Sequence, residues 1–223
     1  MKQPEPAFSP SAKLKFVPVD VTDWDSLRNM FIQANDCFGR IDHVIANAGV
    51  ASPSKLLDVT LDDEGKLTPP DFRTIDVNLL ALVSTVRLAA AYMSELANER
   101  PSGMGSIVLM ASIASVLDFP ATDYAISKHG VLGVIRGLKQ KLEGKIRINA
   151  VAPGWTDTAI VPPGTVEALG AMSQAPDKVA RAVALLISDE QRHGEVIYSW
   201  EGRYREINKA PGGIQECHLK LLA

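Results

Sequence analysis

Short β-branched, apolar runs alternate with longer amphipathic stretches along almost the whole chain. That alternation narrows the fold further than any other feature. Strand and helix in turn build βαβ units, a doubly wound α/β architecture in which helices cover both faces of a parallel sheet. Strands are expected at 14–19 (LKFVPV), 42–46 (DHVIA), 106–110 (SIVLM), 145–151 (KIRINAV) and 195–199 (EVIYS). Between them, the spacing of apolar residues predicts helices over 24–38, 71–98, 122–142 and 176–188. In the first helix Trp24, Leu27, Phe31, Ala34 and Phe38 share one face, Thr22 or Asp23 can cap its unpaired amides, and Gly39 ends it. The stretch up to Pro70 reads as a polar loop, 152–175 as irregular around Pro153, Pro162 and Pro163, and the residues after 199 as a Gly/Pro-containing tail. Ligands of such sheets bind beyond the carboxyl ends of the strands. The residues to inspect are therefore 20–21, 47–49, 111–115 and 152–158.

At 223 residues, with 46% hydrophobic and 22% charged residues, the chain is ordinary globular material of one domain, expected over 13–223. Residues 1–12 carry prolines and serines without an apolar segment, which predicts a disordered leader rather than a secretory signal. A net charge of -3 gives no electrostatic attraction to nucleic acid or an anionic membrane, so neither is expected as a partner. No run reaches the ~18 consecutive apolar residues of a membrane helix. Cys37 and Cys217 match no metal or redox spacing and are expected to be reduced thiols of a cytoplasmic protein. His43, His129, His193 and His218 are expected to be packed or exposed rather than metal ligands.

Tyr124 and Lys128 stand four apart at the start of an expected helix, so their side chains lie on one face. Ser112 lies just past an expected buried strand, twelve residues before the tyrosine. A phenol, an ammonium and a hydroxyl form a workable acid/base set for interconverting a carbonyl and an alcohol. Lowering a phenol from pKa ~10 to near 7 takes about 4 kcal/mol. One cation ~4 Å away at an effective dielectric of ~20 supplies about that much.

The run Tyr124-Ala125-Ile126-Ser127-Lys128-His129-Gly130 resembles the Y-x-x-x-K signature of short-chain dehydrogenases/reductases. Asn47-Ala48-Gly49 resembles that family's N-A-G, Asp76-Val77-Asn78-Leu79 its V-N-L, and Ser112 falls where its catalytic serine stands. The segment 149–158 (NAVAPGWTDT) resembles N-x-V-x-P-G-x-x-x-T, and Asp20-Val21 the pair that ends the family's third strand. The six matches occur in family order and span residues 14–199; Y-x-x-x-K or N-A-G alone would say little. The ending 196–204 is similar to that of fungal and prostaglandin-dehydrogenase-like members.

The resemblance implies a Rossmann-like sheet and roles for single residues. Tyr124 is expected as general acid/base, Lys128 as the group that lowers its pKa and holds the nicotinamide ribose, Ser112 as the orienter of the substrate oxygen, and Asn78 as the anchor of a relay water. Cofactor contacts are expected from Asp20 and Val21 (adenine), from Asn47, Ala48 and Gly49, and from Pro153, Gly154, Thr156 and Thr158 (nicotinamide). Trp155 and 159–175 would shape the pocket for a small alcohol or ketone, apolar and of the secondary-metabolite kind. The helices at 71–98 and 122–142 resemble the pair that packs across a homodimer or homotetramer interface in the family.

One departure from the family is large. Its members open with a strand, T-G-x-x-x-G-x-G, a helix and a second strand, whereas the first glycine here is Gly39. The expectation is a truncated Rossmann-like domain lacking the first two strands and the glycine-rich turn. The loss of two charge-assisted hydrogen bonds to pyrophosphate would remove on the order of 4 kcal/mol, roughly a thousandfold in affinity. The strand DHVIA then becomes an exposed edge or pairs with LKFVPV. The usual selector between NADP and NAD falls in the lacking part, so either cofactor is compatible. Rival readings are an impaired scaffold of the same fold and a truncated product of a complete gene. The retained tetrad favours an enzyme or such a product, and the lacking turn favours the scaffold or the product.

Overall fold

The computed structural model describes residues 12–51, 56–96 and 105–211. Most of the expected leader, the end of the expected 71–98 helix, Cys217 and His218 lie outside them.

Helix α1 (Trp24–Phe38) leads to strand β1 (His43–Ala46), the long helix α2 (Arg73–Met93), strand β2 (Gly105–Met110) and helix α3 (Thr122–Leu142). Strand β3 (Ile146–Pro153), the single turn α4 (Thr165–Ala168), helix α5 (Pro176–Ser188) and strands β4 (Val196–Trp200) and β5 (Arg203–Glu206) follow. The strands form one sheet in the order β1-β2-β3-β4-β5. The first four are parallel and β5 returns antiparallel beside β4.

Alternation along the strands sorts their side chains onto two faces. Ile107, Leu109, Ile148, Ala150 and Val196 point to one face, where Leu27 and Phe31 of α1, Leu82, Val86 and Ala89 of α2, and Val131 and Ile135 of α3 complete the main core. Val108, Val151 and Ile197 point to the other, against Ala182 and Leu186 of α5. The strand order advances steadily while α5 lies opposite α2 and α3, so the β3-to-β4 crossover has the opposite hand to the two before it. Helix α2 is long and apolar enough to cross a membrane by length and composition; here Leu82, Val86, Ala89 and Met93 are buried in the core.

Helices α1, α3 and α5 occupy the residues expected of them. Asp23 caps α1 by accepting from the Ser26 amide at 2.6 Å, and Gly39 ends it at φ 83. Trp24 and Phe38, at the two ends of the expected apolar face, are exposed; only the middle of the helix meets the core.

Other expectations are corrected. Residues 14–19 are not a strand: Leu14 and Phe16 are 75% and 86% exposed, and among the described residues no neighbouring strand takes their hydrogen bonds. Among the described residues β1 is therefore an open edge, paired on one side with β2 only. Helix α2 is not uniform, since Asp76–Leu80 forms a π turn within it. The expected tail contains β5, whose Arg203, Tyr204 and Arg205 place charge and a polar ring on the other edge.

Candidate active site

Four segments that follow β1, β2 and β3 or open α3 converge at the carboxyl end of the sheet around a cavity of about 930 Å³. Ser112 stands directly after β2 and caps a short 3-10 turn, accepting from the Ala114 amide at 3.2 Å. Ser115 closes that turn by accepting from the Ser112 amide at 3.2 Å, which fixes the serine and accounts for Ser115 as structural. Tyr124 lies in the first turn of α3 and Lys128 one turn later, facing the same cavity.

The Ser112 side chain is near enough to the Tyr124 phenol to favour its ionised form. Burial raises its pKa above 10.0, and Ser112 offsets this only in part. The raised phenol stands beside the expectation that Lys128 lowers it. The lysine Nζ stands 5.6 Å from the Tyr124 ring centroid and donates instead to the Met110 carbonyl at 2.9 Å. Lys128 is itself 4% exposed, and burial brings its pKa down from 10.5 to about 8. Among the described residues no carboxylate pairs with it. A buried ammonium without a counter-charge is costly, and it fits a ligand that brings hydroxyl oxygens or negative charge.

Asn78 sits inside the π turn and is fully buried. Its side chain accepts from the Val50 amide at 2.8 Å and donates to the Val50 carbonyl at 2.9 Å and to Ser127 Oγ at 3.2 Å. One amide hydrogen thus braces the turn after β1 and the other ties Asn78 to α3, so the side chain has no donor left for a relay water. Gly49 in that turn lets the backbone approach closely: a Cβ there would stand 3.3 Å from Asn78 Oδ1 and 3.9 Å from Lys128 Nζ. The π turn is a local feature that helical periodicity does not reveal, and such turns gather at functional sites.

Pro153 at the end of β3, and Gly154, Thr156 and Thr158 after it, line the same cavity, as do Asn47 and Gly49; Ala48 lies between the latter two in the chain. Gly154 is backed by the Trp200 ring, into which any Cβ would run. Asp20 and Val21 are elsewhere. They line a separate cavity of about 390 Å³ with Arg73, Val77 and Leu80, and the Asp20 carboxylate already accepts from the Thr22 amide and hydroxyl, which holds its pKa below 3.8. The structure therefore groups Ser112, Tyr124, Lys128 and the 47–49 and 153–158 segments, and separates 20–21 from them.

Sequence reasoning missed Phe119. Its ring lies 5.5 Å from Tyr124 and 5.9 Å from Trp155, centroid to centroid, and makes an aromatic wall beside the phenol. The only signal available was an aromatic residue between the serine and the tyrosine. Ile113, Ile160, Val161 and Pro162 extend the apolar lining. His193 is half-buried between the Lys139 carbonyl and the Ile148 amide, and His129 is exposed, with its ring against the Ala125 carbonyl. No group of three His, Cys, Asp or Glu among the described residues is arranged to hold a metal.

Comparison with known proteins supplies the family. A family profile described as Enoyl-(Acyl carrier protein) reductase matches residues 6–199. The short-chain dehydrogenase/reductase ascJ of Acremonium egyptiacum is 43% identical over 211 residues, 93% of this chain and 71% of that protein. Human 15-hydroxyprostaglandin dehydrogenase [NAD(+)] is 30% identical over 159 residues, 69% of this chain and 52% of that enzyme. This chain thus spans about half the length of several curated relatives and less of some, 43% of a Penicillium rubens member. Among solved structures, a short-chain dehydrogenase from Mycobacterium paratuberculosis bound to NAD superposes with a TM-score of 0.68 at 30% identity, covering 82% of this chain and 72% of that one. By profile, by relatives and by fold, the chain belongs to the short-chain dehydrogenase/reductase family.

Proposed function

We propose that the chain is an NAD(P)-dependent oxidoreductase that interconverts a hydroxyl and a carbonyl on a small apolar substrate of the secondary-metabolite kind. The observation that carries this reading is the grouping of Tyr124, Ser112 and a buried Lys128, which no carboxylate pairs with among the described residues, in one largely apolar cavity.

The nicotinamide end of a dinucleotide fits the residues present. Among the described residues the Lys128 ammonium has no counter-charge, Gly49 and Gly154 let backbone come close, and Thr156 and Thr158 line the adjoining wall. A bound nicotinamide supplies or accepts the hydride. Ser112 holds the substrate oxygen, and Tyr124 gives it a proton or takes one from it. Because burial keeps the phenol above its ordinary range, the free protein presents a protonated tyrosine, the form that donates to a carbonyl oxygen. Phe119 and Trp155 exclude water from one side and favour apolar carbon skeletons. Among the described residues no glycine-rich turn is present for the pyrophosphate, which is the feature favouring the alternative of an impaired scaffold. Leu80 and Val83 of α2 and Ile126 of α3 are exposed, which supports an additional proposal of a homodimer through these helices.

Fluorescence titration of the purified chain with NADH and NADPH tests the reading. Micromolar binding of either excludes the scaffold, whereas absence of binding at millimolar concentration overturns the dehydrogenase for this chain.

A further inference from the structure

Between Thr156 and α5 the chain leaves the sheet, forms the cavity wall that includes Ile160, Val161 and Pro162, and returns at Gln174. Gln174 is 3% exposed although it lies in an irregular segment, and each of its polar groups has a partner. Its amide donates to the Trp155 carbonyl at 2.9 Å, and its carbonyl accepts from the Asp157 amide at 2.9 Å, a parallel bridge centred on Thr156. Its side-chain Nε2 donates to the Ser199 carbonyl at 2.8 Å and lies 3.4 Å from Thr156 Oγ1, while its Oε1 accepts from Ser199 Oγ at 3.2 Å. The Ser199 carbonyl also accepts from the Gly154 amide at 2.9 Å. One side chain therefore ties the end of β4 to the segment that follows β3, and its backbone closes the excursion against that same segment.

We propose that Gln174 is a positioning residue for the reaction: it fixes the conformation of 154–158 and seals the wall formed by 157–174 over the cavity. This rests on the functional reading above, since 154–158 is the stretch assigned there to the nicotinamide. A buried amide with all its partners aligned is satisfied in one arrangement only, so it selects a single backbone path where loop sequence alone would allow several. The residue acts through Thr156 and Trp155 and touches no reacting atom.

Hydrogen exchange of the full chain, wild type against Gln174→Met, tests this directly, because methionine keeps the length of the side chain and removes its hydrogen bonds. The expected result is at least tenfold faster exchange at the Asp157 and Gln174 amides and through 158–173, with β2 and β3 unchanged. Unchanged exchange across the seam overturns the proposal, and so does uniform acceleration over the whole chain, the mark of a merely structural role. NADH titration of the same two proteins then reads the link to the reaction, with binding expected to weaken at least tenfold in Gln174→Met. Equal affinities overturn that link. A wild type that binds no NADH overturns the functional reading and the link with it, while the exchange result still decides what Gln174 holds in place.

Discussion

At the residue scale, the site places a cation where folding stability disfavours it. Lys128 titrates near 8 in the fold instead of 10.5, so below pH 8 the folded protein carries a buried charge that the unfolded chain hydrates freely. The resulting penalty is about 3 kcal/mol at neutral pH; it fades as pH rises from 8 to 10.5, where the folded state releases the proton first. Lys128→Met removes the charge and also the hydrogen bond to Met110, which is worth about 1 kcal/mol. The variant is expected to be about 2 kcal/mol more stable than wild type at pH 7 in urea denaturation, with the advantage gone near pH 10.5. Lower stability at pH 7 would refute the account of this lysine. The phenol behaves oppositely: in an alkaline absorbance titration, the difference between wild type and Tyr124→Phe is expected to show a group ionising above 10. A midpoint near 7 would mean that Lys128 governs the phenol in the free protein.

At the element scale, the cavity depends on close approaches that a larger side chain would prevent. The Trp200 ring at the end of β4 occupies the space a Cβ at Gly154 would need, so Gly154→Ala forces one of them to move. A loss of about 1–3 kcal/mol in chemical denaturation is expected, partly restored by Trp200→Leu in the same chain. The open β1 edge makes a second prediction. Ile45 is 43% exposed there, and Ile45→Lys is expected to slow aggregation in a light-scattering time course, since a charge on an unpaired edge opposes strand addition. These two elements also mark what the sequence could and could not convey. Helices α1, α3 and α5 were legible to the residue because their apolar period agrees with tertiary packing, sharpened in α1 by the Asp23 cap and Gly39 and in α5 by Pro176 at its start. The run LKFVPV has strand composition but no partner strand among the described residues, and strand formation is decided by pairing rather than composition. The π turn at Asp76–Leu80 and the β4–β5 hairpin are set by packing around Asn78 and by the turn at Glu201-Gly202, and residue period carries little trace of either.

At the scale of the whole molecule, the α/β order of elements predetermines where chemistry can occur. Parallel strands bring residues as distant in the chain as Gly49, Ser112, Tyr124 and Thr156 to one end of the sheet, so ordered motifs were sufficient to foresee their convergence. What the motifs could not give was distance. They left open that Lys128 would turn to a carbonyl rather than to the phenol, that Asn78 would brace a turn, and that Asp20 would line another cavity. The central claim, that the assembled groups transfer a proton alongside a hydride, is tested most directly by NAD(P)H oxidation at saturating cofactor with a set of small apolar ketones. Wild type is expected to show ketone-dependent loss of absorbance at the nicotinamide band, and Tyr124→Phe a rate lower by a factor of about 10² to 10⁴ with its fold intact by circular dichroism. Equal rates in the two proteins would contradict the account.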